Sequence, residues 1–230
     1  GITRLKDGQN AISLGASFLG FILFEGSPRC INPNGARAIW DELDPDQTRS
    51  VAVDVNPDPS RLSEISRLGF DFFQLHFPSS VDPDRISAWA EIVGPENLWL
   101  APRISPEEDF PVAMLPFANT FLVDAYDKEK FGGTGLSSDW ERFSDWKSKY
   151  ADKKWILAGG IGPENLKDAL IRTDPDLIDV NSAVESEPGV KDHEKVKTVF
   201  SISHCILGSH KSVTLLFTPQ LMHFFIIVAS

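Results

Sequence analysis

Basic residues are scarce in this chain. Its 22 Lys and Arg stand against 33 Asp and Glu, a formal net charge of −11. A protein that grips a phosphate backbone needs a positive face, so this balance argues against binding DNA or RNA. Cysteine is scarcer still. Cys30 and Cys205 cannot build a disulfide framework, which fits a reducing, cytoplasmic setting. No Gly-x-Gly-x-x-Gly follows an early apolar run, so the fingerprint of a dinucleotide fold is missing. Gly1–Leu14 lacks the apolar stretch of a secretory leader, and the chain starts on Gly1 rather than Met. What is present, 42% hydrophobic and 24% charged residues, is an ordinary globular balance that excludes a disordered or collagen-like chain.

The scarcity of charge is uneven. From Ser201 to Ser230 there is no Asp or Glu, and Lys211 is the only Lys or Arg. The first 200 residues therefore hold 21 basic and all 33 acidic residues, a net charge of −12. The last thirty also hold His204, His210 and His223, with Phe217, Phe224 and Phe225. This composition sets residues 201–230 apart as an apolar tail outside the native fold of a domain at 1–200.

Within those 200 residues, short apolar runs alternate with amphipathic stretches. The runs are 18–24, 51–55, 72–77, 98–101, 120–123, 155–158 and 177–180, and their β-branched and aromatic content suits buried strands. Helical spacing follows at 34–43, 60–68, 82–93, 138–150, 163–171 and 192–200, most weakly at 106–115, and one extra helical stretch at 5–14 precedes the first run. Alternation of this kind implies βαβ units and a parallel sheet. A single α/β barrel runs to about 250 residues. The fold expected is therefore a TIM (β/α)8 barrel whose first strand is missing from this chain, with a doubly wound open sheet as the competitor.

Barrel chemistry sits on the loops after the strands, with phosphate often held by the last two. Gly159-Gly160, ahead of a helix start, can cradle an anion on bare backbone, or can simply be a tight turn. The glycine-rich Gly132-Gly133-Thr134-Gly135 after a neighbouring strand favours the first reading. Arg29, in a Gly-Ser-Pro loop, suits a bidentate carboxylate clamp or an exposed surface position. Asp124 closes an apolar strand, where a partly desolvated carboxyl can serve as a general acid; Asp127 competes for that role. Gln74 and His76 share one strand face and either enter the barrel mouth together or sit in the core. Cys30 has no paired His and is read as packing.

Taken in order, these loops resemble phosphoribosylanthranilate isomerase, a barrel enzyme of tryptophan biosynthesis. The resemblance runs from Gly1 to about Phe200 through Gly1-Ile-Thr3, Ser27-Pro-Arg29, Gln74-Leu-His76, Leu122-Val-Asp124, Phe131-Gly-Gly-Thr-Gly135, Leu157-Ala-Gly-Gly-Ile161, Pro163-Glu-Asn165, Asp179-Val-Asn-Ser182, Val184-Glu185 and Lys191-Asp-His193. It implies an Amadori rearrangement of N-(5-phosphoribosyl)anthranilate, with one acid to protonate the ring oxygen and one base to take the C2 proton. It further implies Asp124 as the acid, Arg29 on the anthranilate carboxylate and Asp179 near the ribose hydroxyls. Gln74 and His76 join the substrate-binding set. Gly159, Gly160, Asn181, Ser182 and Ala183 fall in the phosphate site. Neither cofactor nor metal is implied, and the assembly is a monomer or homodimer.

The sequence departs from the family at telling places. The family's base is a cysteine in Lys-Ile-Cys-Gly-Ile-Thr, and this chain begins at that Gly, so impaired turnover is expected. Leu136 stands for a Lys or Arg, Ala183 for a Gly, and Phe77 for a Gly. The apolar run 212–230 is interrupted by Pro219, Gln220 and His223 and falls near the lower limit of roughly 17–20 residues for a membrane span. No membrane role is therefore expected. Two rival functions remain: a catalytically dead barrel that binds phosphorylated ligands, and another phosphosugar isomerase such as the histidine-pathway relative.

Overall fold

Helices alternate with strands from the first turn of the chain. The protein's structure is a computed structural model that describes residues 1–124, 139–210 and 224–227. Helix α1 (Leu5–Ser13) precedes strand β1 (Phe18–Ile22). There follow α2 (Pro33–Leu43), β2 (Arg49–Val55), α3 (Pro59–Ser66), β3 (Phe72–Pro78), α4 (Pro83–Val93) and β4 (Leu98–Arg103). A 3-10 turn (Val112–Phe117) leads to β5 (Thr120–Val123), then α5 (Trp140–Lys149), β6 (Lys154–Leu157), α6 (Leu166–Thr173) and β7 (Leu177–Asp179). A two-stranded hairpin, β8 (Glu185–Glu187) and β9 (Val190–Lys191), precedes α7 (His193–His210), and β10 (Phe224–Ile227) is the last element described.

Local chemistry explains the boundaries. Three helices, α2, α3 and α4, start on proline, whose missing N–H costs nothing in the first turn. Asn32 and Asp82 cap two of them by accepting from Gly35 N at 2.7 Å and Asp84 N at 3.0 Å. The weak helical signal at 106–115 becomes only a 3-10 turn, because Pro111 precedes it and Pro116 lies inside it.

The barrel is closed, with strands in the order β1-β10-β7-β6-β5-β4-β3-β2, and every adjacent pair runs parallel. The slot that the sequence left vacant is filled by β10, with Phe224 opposite Leu177 on one side and Phe18 opposite Ile226 on the other. Nor does the backbone divide at residue 200. Helix α7 runs on to His210, with Ser203 buried and Ile202 and Ile206 packed on the core. Among the described residues, no helix is long and apolar enough to cross a membrane.

Strand residues alternate between two cores. Phe21, Ala52, Leu75, Leu100, Phe121, Trp155 and Ile178 face the helices. Ile22, Val51, Val53, Trp99, Ala101, Leu122, Ile156 and Leu177 fill the interior. This period of two decides which polar strand residues reach the mouth. The interior is closed at its amino-terminal end by Phe18, Phe72 and Trp99, whose ring centroids lie 5.1–5.4 Å apart.

Candidate functional site

Continuing each interior row to the carboxyl end of its strand brings the site together. Beyond Leu122 the row reaches Asp124; beyond Leu177, Asp179; beyond Phe72, Gln74 and His76. Thus four residues singled out in the sequence share the interior face at one end of the barrel.

His76 is fully enclosed, and burial pushes its pKa down to about 4, so it is a neutral imidazole at physiological pH. Gln74 Nε2 lies 2.9 Å from His76 Nε2 and 3.4 Å from Asp179 Oδ2. A neutral ring accepts the first of these bonds at Nε2, which leaves the proton on Nδ1. Burial, followed by the nearby Asp124 charge, raises the Asp179 carboxyl well above the ordinary range. Its Oδ1 is buried with no hydrogen-bond partner among the described residues.

Asp179 also borders a small pocket formed by Gly159, Gly160, Asn181, Ser182 and Ala183. Positive φ angles of 86° and 67° at Gly159 and Gly160 give the turn a shape that other residues adopt only under strain. Asn165 staples that turn. Its Oδ1 accepts from Gly162 N at 2.9 Å and its Nδ2 donates to Gly160 O at 3.0 Å. With its side chain so engaged, α6 starts at Leu166, three residues later than the spacing predicts.

Arg29 is buried, not a surface residue. Its Nε donates to Glu185 Oε2 at 2.9 Å and Oε1 at 3.1 Å, and its Nη2 donates to Oε2 at 2.8 Å. Lys191 Nζ reaches the same carboxylate at 3.0 Å and Asn181 Oδ1 at 2.6 Å. Burial works against ionising Glu185, but Arg29 and Lys191 outweigh it and hold the carboxyl below its usual value. Glu185 and Lys191 lie in recognisable motifs, yet nothing in their spacing pairs them with Arg29, 156 positions away from Glu185.

Asp124 borders a second cavity of about 180 Å³ shared with Ile104, Asp139 and Arg142. Cys30 is half-buried, and burial together with the Glu25 and Asp54 charges raises its thiol pKa, the reverse of an activated nucleophile. Phe77 is fully buried on the helix-facing side against Trp89, with ring centroids 5.3 Å apart, so this departure points away from the mouth. Asp127, Gly132–Gly135 and Leu136 lie outside the described residues.

The family model for N-(5'-phosphoribosyl)anthranilate isomerase matches residues 1–201. The isomerase of Gloeothece citriformis is 36% identical over 207 residues, covering 89% of this chain and 91% of that protein. The crystal structure of the Thermus thermophilus isomerase superposes with a TM-score of 0.76 at 30% identity, over 89% of this chain and 96% of that one. An isomerase structure in complex with reduced 1-(o-carboxyphenylamino)-1-deoxyribulose 5-phosphate gives a TM-score of 0.71 at 27% identity, over 89% and 95% of the two chains. Barrel, site and similarity agree: the chain belongs to the N-(5'-phosphoribosyl)anthranilate isomerase family of tryptophan biosynthesis.

Proposed function

We propose that the mouth built by Asp124, Asp179, Gln74 and His76 performs the Amadori rearrangement of N-(5'-phosphoribosyl)anthranilate. The observation that carries this reading is the sharing of one interior face by Asp124 and Asp179, beside a small pocket lined by Gly159 and Gly160. Backbone at Gly159, Gly160, Ser182 and Ala183, with Asn181, receives the phosphate; bare N–H groups and positive φ suit an anion. Arg29 takes the anthranilate carboxylate. Asp179 and Gln74 bind the ribose hydroxyls, and neutral His76 holds the Gln74 amide in place. Asp124 protonates the ring oxygen as the ring opens. A cytoplasmic setting, with no cofactor or metal, accompanies this chemistry.

Neither cysteine of the chain suits the base that takes the C2 proton, since the Cys30 thiol is half-buried with a raised pKa and Cys205 lies on α7, so the 230-residue chain expressed by itself turns over slowly. Two assays test the proposal. A version extended by Lys-Ile-Cys ahead of Gly1 gains turnover, and Asp124→Asn in that version loses on the order of 10²–10⁴-fold in kcat. Full activity of the Asn variant refutes the role of Asp124. Normal rates from the unextended chain refute the impairment.

A further inference from the structure

We infer that Glu185 is a positioning residue that converts Arg29 into a receptor for the substrate's carboxylate. The inference rests on the reading above and goes beyond it to a residue that would not touch substrate.

A guanidinium has two edges that can each grip a carboxylate with two parallel hydrogen bonds. Glu185 occupies one of them, the Nε–Nη2 edge, at 2.8–3.1 Å. Among the described residues, Nη1 makes no hydrogen bond. The Nη1–Nη2 edge is therefore left for a second carboxylate, and the side-on grip fixes the plane in which it must approach.

Glu185 can impose that plane because it is itself held. Its Oε1 accepts from Lys191 Nζ at 3.0 Å and from Gly189 N at 3.2 Å, both from the hairpin segment that follows it. Its carboxylate is nearly inaccessible to solvent, as is the Lys191 ammonium. Two buried cations face this one carboxylate, so the cluster keeps a surplus of positive charge for an anionic ring substituent. Lys191 also donates to Asn181 at 2.6 Å, which places the carboxylate receptor and the phosphate pocket on one rigid frame.

A carboxylate-specific readout separates this role from mere support of the fold. The full 230-residue protein is titrated calorimetrically with two probes. One is reduced 1-(o-carboxyphenylamino)-1-deoxyribulose 5-phosphate, and the other is its counterpart lacking the ring carboxylate. Wild type is expected to prefer the carboxylated probe by at least about tenfold. Glu185→Gln, which keeps one acceptor oxygen, and Glu185→Asp, which keeps the charge but is too short for the grip, should each erase most of that preference. Binding of the second probe should change less than about twofold. Equal weakening of both probes in the variants makes Glu185 structural only and overturns the inference, as does an undiminished preference. If wild type binds neither probe, the substrate reading itself fails, an outcome distinct from these.

Discussion

Gly162 and Ala183 meet where the loops after β6 and β7 approach each other, and that contact allows a quantitative test. A Cβ on Gly162 would fall 2.5 Å from the Ala183 Cβ, whereas the next atoms, Ala183 C and Cα, lie at an ordinary 3.7 Å. Non-bonded carbons rest at about 3.5–4.0 Å, so Gly162→Ala must part the loops by roughly 1 Å. Gly162 does not have a positive φ, which leaves steric overlap as the only penalty. Overpacking of this kind costs about 1–3 kcal/mol. Ala183→Gly alone should cost no more than about 0.5–1 kcal/mol, the conformational freedom of an added glycine. In the double variant the overlap disappears, so the two changes should couple favourably by about 1–3 kcal/mol. Urea midpoints of the four proteins measure the coupling. Titration with inorganic phosphate should show the single Gly162→Ala variant binding more weakly and the double variant recovering. Additivity within about 0.5 kcal/mol would refute the claim that these two methyl positions compete for one space.

Two further outcomes follow from the interior. Trp99→Ala removes the largest ring of the amino-terminal plug, at 2% exposure, and should lower the unfolding free energy by about 3–5 kcal/mol without altering phosphate binding at the far end. His76 binds its proton near pH 4 when folded but near 6.5 when unfolded, so the unfolded state holds the extra proton between these values. Stability contributed by His76 is therefore complete above about pH 6.5 and declines by up to about 3 kcal/mol as pH falls to 4. The difference between wild type and His76→Gln across urea titrations isolates this slope, and a flat difference would contradict a neutral, buried His76.

Much of this molecule was legible in the sequence because barrel strands signal themselves twice. Runs such as 98–101 are apolar on both faces, and the polar residues that interrupt the pattern elsewhere, Gln74, His76, Asp124 and Asp179, mark the mouth. Proline-started helices and the Gly159-Gly160 turn were equally local signals. What stayed hidden was pairing across long sequence separations. The sequence offered Arg29 as a carboxylate clamp or an exposed surface residue, but its first partner is Glu185, brought in by the hairpin after β7. Asn165 read as part of a helix start, whereas its side chain bonds the preceding loop on both sides. Phe77 read as a departure from the family's Gly beside the Gln74 and His76 positions, yet one position of strand alternation turns it toward Trp89.

Composition also separated residues 201–230 from the barrel, while the sheet admits four of them, and this difference has a physical test. Eight strands are needed to close the interior, and β1–β7 supply seven. The open edges of β1 and β7 would expose unpaired backbone and apolar interior, so any apolar strand that can reach the slot gains both. Residues 224–227 take it with Ile226 opposite Phe18 and Ile227 opposite Leu19. Ile2 N donates to Gly20 O at 2.8 Å, which sets Gly1 level with Gly20. A residue ahead of Gly1 would then fall level with Leu19, the place of Ile227, so the family's cysteine strand and β10 claim one slot. Removing residues 211–230 should lower the urea midpoint, since each lost ladder hydrogen bond is worth about 0.5–1.5 kcal/mol. A first strand ending in Lys-Ile-Cys, fused ahead of Gly1, should instead expel the tail and open it to limited proteolysis while the barrel stays intact. An unchanged midpoint on truncation, together with a tail already cut at the same rate without the added strand, would show that β10 contributes nothing to closure.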